Sequence, residues 1–115
     1  MIVVVEPIHA PALHGCIHAG DFVAAKGPGS AMGRLDCLEA SLIALKGLAK
    51  DADVFALISE EEGQAGADYA AAHQMESTPS GAAGLAGLFA SPAHRAALKL
   101  DANSHVLVIL SEGPE

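Results

Sequence analysis

Tryptophan is absent from this 115-residue chain and aromatic residues make up only 3% of it. A core without large rings must be built from Ala, Leu, Val and Ile, which favours close-packed helices against a sheet. Basic residues are also scarce, six against fourteen acidic ones, for a net charge of −8. That balance repels phosphate backbones and anionic membrane surfaces, so neither nucleic acid nor membrane is an expected partner. There is no Cys-x-x-Cys pair. Cys16 and Cys37 read as free, reduced thiols of a cytoplasmic protein. The opening Met-Ile-Val-Val-Val-Glu-Pro has no charged leader region. No apolar run approaches the roughly 20 residues of a membrane helix.

What is present is one domain, residues 1–115, half of it hydrophobic. Ile2 to Val5 is a continuous apolar run closed by Glu6-Pro7, the pattern of a strand buried on both faces. A core strand directly after Met1 fits a minimal domain or the back part of a larger one. Residues 10–19 predict a short helix stopped at Gly20-Asp21. Phe22 to Ala25 predicts a short strand, and Lys26 to Ser30 a turn. Asp36 with Glu39 has capping spacing for a helix carrying Leu38, Leu42, Leu45 and Leu48 on one stripe.

Val54 to Ile58 is a second buried strand. Ser59 to Glu62 forms a capping box for an Ala-rich helix ending near His73. Thr78 or Ser80 caps a helix beginning near Pro79, and Ser91-Pro92 repeats the device. Asp101 to Ser104 is a turn before a third buried strand, Val106 to Leu110. Strands separated by helices imply an α/β fold of three layers, a mainly parallel sheet with helices on its faces.

The candidate sites must be weighed against plainer roles. His14 and His18 share a helix face, a spacing that metal sites use, with His9 nearby. No neighbouring acid completes a ligand set, so solvated helix histidines are the better reading. Lys26 before Gly-Pro-Gly-Ser is not a Walker loop and reads as a turn. Cys37 reads as a buried residue at an apolar helix start rather than a nucleophile. The glutamates at 60–62 compensate a helix dipole, and Glu76 is a surface acid. Ser80, Gly81 and Ser111 remain. Capping and turn chemistry would account for them, yet they also stand at a helix N-terminus and a strand's carboxyl end, where α/β sheets bind small molecules.

Four stretches, in order, resemble the C-terminal half of pyridoxal-phosphate enzymes of the tryptophan-synthase-β type (fold type II). They are Val-Val-Val-Glu-Pro at 3–7, Ala-Met-Gly-Arg-Leu-Asp-Cys at 31–37, Pro-Ser-Gly-Ala-Ala-Gly-Leu-Ala-Gly-Leu at 79–88, and residues 95–113 ending in Val-Leu-Val-Ile-Leu-Ser-Glu-Gly. The nearest relatives by resemblance are the diaminopropionate ammonia-lyases and threonine dehydratases. The usual Gly-x-Pro-Ser of the ammonia-lyases stands here as Leu38-Glu39-Ala40-Ser41, which blurs the subfamily.

The resemblance implies pyridoxal phosphate as cofactor, with the Ser111 hydroxyl meeting its pyridine nitrogen and Ser80-Gly81 lining the ring side of the cleft. It implies elimination from a small amino-acid substrate such as diaminopropionate. The family's cofactor lysine and phosphate loop precede the Val-Val-Glu-Pro strand, and none of Lys26, Lys46, Lys50 or Lys99 matches the lysine's motif. By itself the chain is therefore expected to be inactive. It would complete its site as a homo-oligomer or with a complementary N-terminal half. A non-catalytic, oligomerising domain and a histidine metal binder are the alternatives.

Overall fold

Two parallel strands carry the fold. In the computed structural model, which describes residues 1–114, β1 (Val3–Pro7) pairs with β2 (Val54–Ile58) from Val3↔Val54 to Pro7↔Ile58. The helices are α1 (Ala12–Ala19), α2 (Leu42–Asp51), α3 (Glu60–Ala72) and α4 (Ala83–Ala90), the last followed by one 3-10 turn, Ser91–His94. Odd-numbered β1 side chains and Ile58 face α4: Val5 and Ile58 join Ala83 and Ala86 in the core. The opposite face belongs to α1. Glu6 accepts the Leu13 and His14 N–H groups at 2.8 and 2.7 Å, capping a helix that has no side-chain cap of its own. Helices thus cover both faces, giving three layers.

With no large rings available, the layers come together through small residues. A Cβ on Gly66 would meet the Ala86 Cβ at 2.9 Å, and one on Gly87 the Val5 Cγ2 at 2.6 Å. The remaining volume is filled from an unexpected quarter. Met32, in the long connection between α1 and α2, is 1% exposed and lies among Ile58, Ala83 and Ala86.

Several expected elements differ. Residues 106–110 form no strand, and the sheet of the described residues has two members. A ladder needs a partner within bonding reach, and a cavity separates this segment from β1. Phe22 to Ala25 is not a strand; the Ala25 N–H donates to the Leu38 carbonyl at 2.7 Å, and the Val23 carbonyl accepts from Cys16 Sγ at 3.2 Å. Asp36 caps no helix. Its carboxylate takes the Ser30 N–H at 2.7 Å, and Ser41 caps α2 instead. Cys37 is consequently exposed in a loop rather than buried at a helix start, while Cys16 is buried. The helix expected from Pro79 begins at Ala83, and Ser91-Pro92 opens only a 3-10 turn. The capping box at α3 is present in full: Glu62 N–H to Ser59 Oγ at 3.1 Å, Ser59 N–H to Glu62 Oε2 at 2.8 Å.

That cap gives two expectations. Ser59→Ala lowers stability by about 1 kcal/mol in urea denaturation. Glu61, in the same turn, is held below its usual carboxylate value by its own backbone N–H and then by Ser59. A depressed carboxyl stabilises above its unfolded value, and that contribution vanishes as pH falls through the folded one. Glu61→Gln therefore makes the acid limb of stability against pH shallower.

Candidate functional site

The turn before α4 and the C-terminal segment are tied into one knot. Thr78 is buried; its Oγ1 accepts the Gly81 N–H at 3.0 Å, and its hydroxyl donates to the Glu112 carboxylate. This closes a tight turn in which the Ala82 N–H reaches the Thr78 carbonyl at 2.9 Å. Ser77 Oγ donates to the Ser111 carbonyl at 2.7 Å, and the Ser111 N–H donates to the Gly81 carbonyl at 3.2 Å. Gly81 must lack a side chain here, because a Cβ would overlap the Ser111 carbonyl oxygen and the Ser77 hydroxyl. Glu112 follows with φ of 62°, a left-handed turn that directs the chain away.

Arg34 arrives from the long α1–α2 connection. Its N–H donates to Ser80 Oγ at 3.1 Å, and its Nε lies 3.7 Å from Glu112 Oε1. The Arg34 side chain is 76% exposed, so the ion pair contributes little beyond orientation. The backbone bond to Ser80 is the firmer tie.

Ser80, Gly81 and Ser111 are thereby brought together on the rim of a cavity of about 1010 Å³. Its floor is α4, through Ala83, Gly84 and Gly87, and one side is β1, through Val3 and Val5. Among the described residues the Ser111 hydroxyl has no hydrogen-bond partner, and the Ser80 hydroxyl accepts one bond while its proton goes unused. Both can serve a polar group on a small ligand. Thr78, Glu112 and Arg34 complete the arrangement. The spacing Thr78-x-x-Gly81 signals a turn of this kind, whereas nothing local marks Glu112 or Arg34, whose partners lie 34 and 46 residues away.

Other candidates fall elsewhere. His14 and His18 stack on α1 with ring centroids 6.2 Å apart, and His9 Nδ1 stands 3.5 Å from Glu60 Oε1. Glu60 is otherwise occupied by Ser30 Oγ at 2.7 Å and the Ala31 N–H at 3.0 Å, a bracket holding the loop to α3. Among the described residues no cluster of three metal-ligating side chains occurs. Lys26, Lys46, Lys50 and Lys99 are all exposed. Glu76 is exposed as well. No helix of the described residues is long and apolar enough to cross a membrane.

A parallel sheet between helix layers, with a polar turn and a C-terminal segment meeting at one cavity, is an α/β architecture. The family follows from the sequence match. Residues 1–112 fit the family model described as pyridoxal-phosphate dependent enzyme, and the chain belongs to that family. Its structure resembles the crystal structure of a T.th. threonine deaminase, with a TM-score of 0.72 at 20% identity over 82% of this chain. That alignment takes in 35% of the threonine deaminase chain, so this chain spans about a third of the solved protein. No curated protein matches it.

The knot is testable through its tightest point. Gly81→Ala forces the Ser111 carbonyl aside and costs about 1–3 kcal/mol, read as a lower urea midpoint. The same variant shifts the amide NMR signals of Ser77 and Ser111, while those of α2 stay in place.

Proposed function

We propose that this chain is the C-terminal portion of a pyridoxal-phosphate-dependent ammonia-lyase that eliminates the β-substituent of a small amino acid such as diaminopropionate. The observation that carries the reading is the unbonded Ser111 hydroxyl, set beside Ser80 and Gly81 on a cavity rim in a member of a pyridoxal-phosphate family. When bound, pyridoxal phosphate supplies an electron sink for the substrate's α-carbon.

In this reading Ser111 meets the pyridine nitrogen, and Ser80 and Gly81 lie along the ring. A hydroxyl is a neutral partner and does not hold that nitrogen protonated as a carboxylate would. The weaker electron demand suits departure of a β-substituent better than a long-lived carbanion. Thr78 and Ser77 act through position: one closes the Gly81 turn, the other pins the Ser111 carbonyl and so fixes the hydroxyl's base. Covalent capture of the cofactor falls to polypeptide beyond these residues, in keeping with four exposed lysines. The working assembly is then a homo-oligomer or a union with the complementary part. Two unpaired cysteines fit a cytoplasmic setting.

A second reading, an oligomerising domain without catalysis, is favoured by the exposed apolar residues Leu107 (90%) and Ile109 (77%). Sedimentation tests this second reading, since a dilute monomer counts against self-association.

The direct test adds pyridoxal phosphate and diaminopropionate. The isolated chain should lose cofactor absorbance on dialysis and release no ammonia. Joined to the lysine-bearing remainder of its enzyme, it should retain the cofactor and release ammonia. There, Ser111→Ala should lower kcat by about 2-fold to 10-fold, the worth of one hydrogen bond between neutral groups. Unchanged kcat in that variant removes the role given to Ser111.

A further inference from the structure

A second cavity, of about 290 Å³, opens where the 3-10 turn Ser91–His94 meets the turn at 101–104. No residue of β1 lines it, and neither do Ser80, Gly81 or Ser111. Its wall is aliphatic: Leu88, Pro92, Leu100 and Val106. Two opposite charges, Arg95 and Asp101, stand in that wall. Leu88, Leu100 and Val106 are shared with the large cavity, whereas Pro92, Arg95 and Asp101 belong to the small one alone. Its volume is at the lower end of the roughly 300–1,000 Å³ of small-ligand pockets.

Local backbone geometry sets the two charges in place. The Leu100 N–H donates to the Arg95 carbonyl at 2.9 Å and the Lys99 N–H to the Ala96 carbonyl at 3.1 Å, with Lys99 left-handed at φ 52°. This is a Schellman ending, and it folds Leu100 and Asp101 back beside Arg95. Asp101 is then fixed by the turn that follows. Its Oδ1 accepts the Asn103 N–H at 2.7 Å, its N–H donates to Ser104 Oγ at 2.9 Å, and the Ser104 N–H closes on its carbonyl at 3.1 Å. The second carboxylate oxygen, Oδ2, accepts nothing among the described residues.

Neither charge is answered within the described residues. The ion pairs among them are His9–Glu60 and Arg34–Glu112, so Arg95 and Asp101 pair neither with each other nor with a third residue. A guanidinium presents paired donors that match a carboxylate, and a carboxylate oxygen beside an apolar wall matches an ammonium. A ligand with a carboxylate, an ammonium and an aliphatic body meets every surface of this cavity. A dicarboxylate or a phosphate brings surplus negative charge against Asp101, and a diamine surplus positive charge against Arg95.

We propose that this cavity binds a free aliphatic α-amino acid as its zwitterion. Arg95 takes the carboxylate, Asp101 Oδ2 takes the ammonium, and the side chain lies among Leu88, Leu100 and Val106. The turn geometry means that the carboxylate of Asp101 is pre-set before the ligand arrives, so little order is lost there on binding. The site stands apart from the one at Ser80, Gly81 and Ser111 and needs no cofactor.

The test titrates L-leucine into the isotope-labelled chain. NMR shifts at Arg95, Leu100 and Asp101 should saturate with a Kd of about 1 mM. Isocaproate, which lacks the ammonium, and isoamylamine, which lacks the carboxylate, should each bind about tenfold more weakly. Arg95→Gln and Asp101→Asn should each weaken leucine binding by a similar factor. Asn keeps the side-chain oxygen that holds the turn, and unmoved Asn103 and Ser104 amides show that the turn survives. No saturation up to about 20 mM leucine overturns the proposal. Equal binding of isocaproate or isoamylamine also overturns it, because the charges then select nothing. So does undiminished binding in either variant. Leucine shifts centred on Val3, Val5 and Gly81 place the ligand in the large cavity and overturn it as well. None of these readouts involves cofactor or ammonia release, so this site and the role given to Ser111 stand or fall separately.

Discussion

The close approach of α4 to the sheet is the constraint on which everything else hangs. Gly87 admits Val5, Ala86 and Gly66 bring α3 against α4, and Ala83 seats on Ile58. A chain with so few rings fills its interior by shortening distances rather than by enlarging side chains, since interiors must reach crystal-like density either way. The same small face that lets α4 sit down on β1 also makes the smooth floor of the cavity. Its N-terminal approach, at Gly81, is where the C-terminal segment is fastened. Packing and site are thus two uses of one helix.

The fastening is polar where the packing is apolar. Thr78 bonds at once to a backbone N–H three residues on and to a carboxylate 34 residues away, so the turn and the C-terminal segment hold each other's geometry. Ser77 adds a grip on the Ser111 carbonyl. Networks of this kind have few alternative arrangements, because releasing one member leaves another buried and unpaired. The Ser111 hydroxyl is the group the network positions without consuming.

Sequence signals hold in this chain where their cause is local. The two strands are uninterrupted Val/Ile/Leu runs, and the Ser59–Glu62 box lies within four residues; each stands where its pattern places it. They fail where a distant partner decides. Asp36 has the spacing of a cap, but the Ser30 N–H holds it, and Ser41 takes the role. Glu6 reads as the end of a strand, yet its work is to cap α1 across a turn. Residues 106–110 have a strand's composition and its alternation, but a strand is a relation between two lengths of backbone, and among the described residues this one has no bonded neighbour. Of the candidate site, Ser80, Gly81 and Ser111 were legible as small polar residues at element ends, helped by family resemblance. Arg34 and Glu112 were not, because a surface charge in sequence carries no mark of the partner it will meet.

Met32 gives the long α1–α2 connection an unusual standing. Its thioether fills the interior between Ile58 and α4, while Ser30 and Ala31 beside it are clamped to Glu60 and Arg34 beyond it is bound to Ser80. A connection of this length would ordinarily open and close independently of the core beneath it. Here, lifting it empties the interior and exposes the sulfur, so the loop and the core share one opening free energy and form a single cooperative unit. The rim at Ser80 inherits that rigidity: the wall of the cavity is as firm as the centre of the protein.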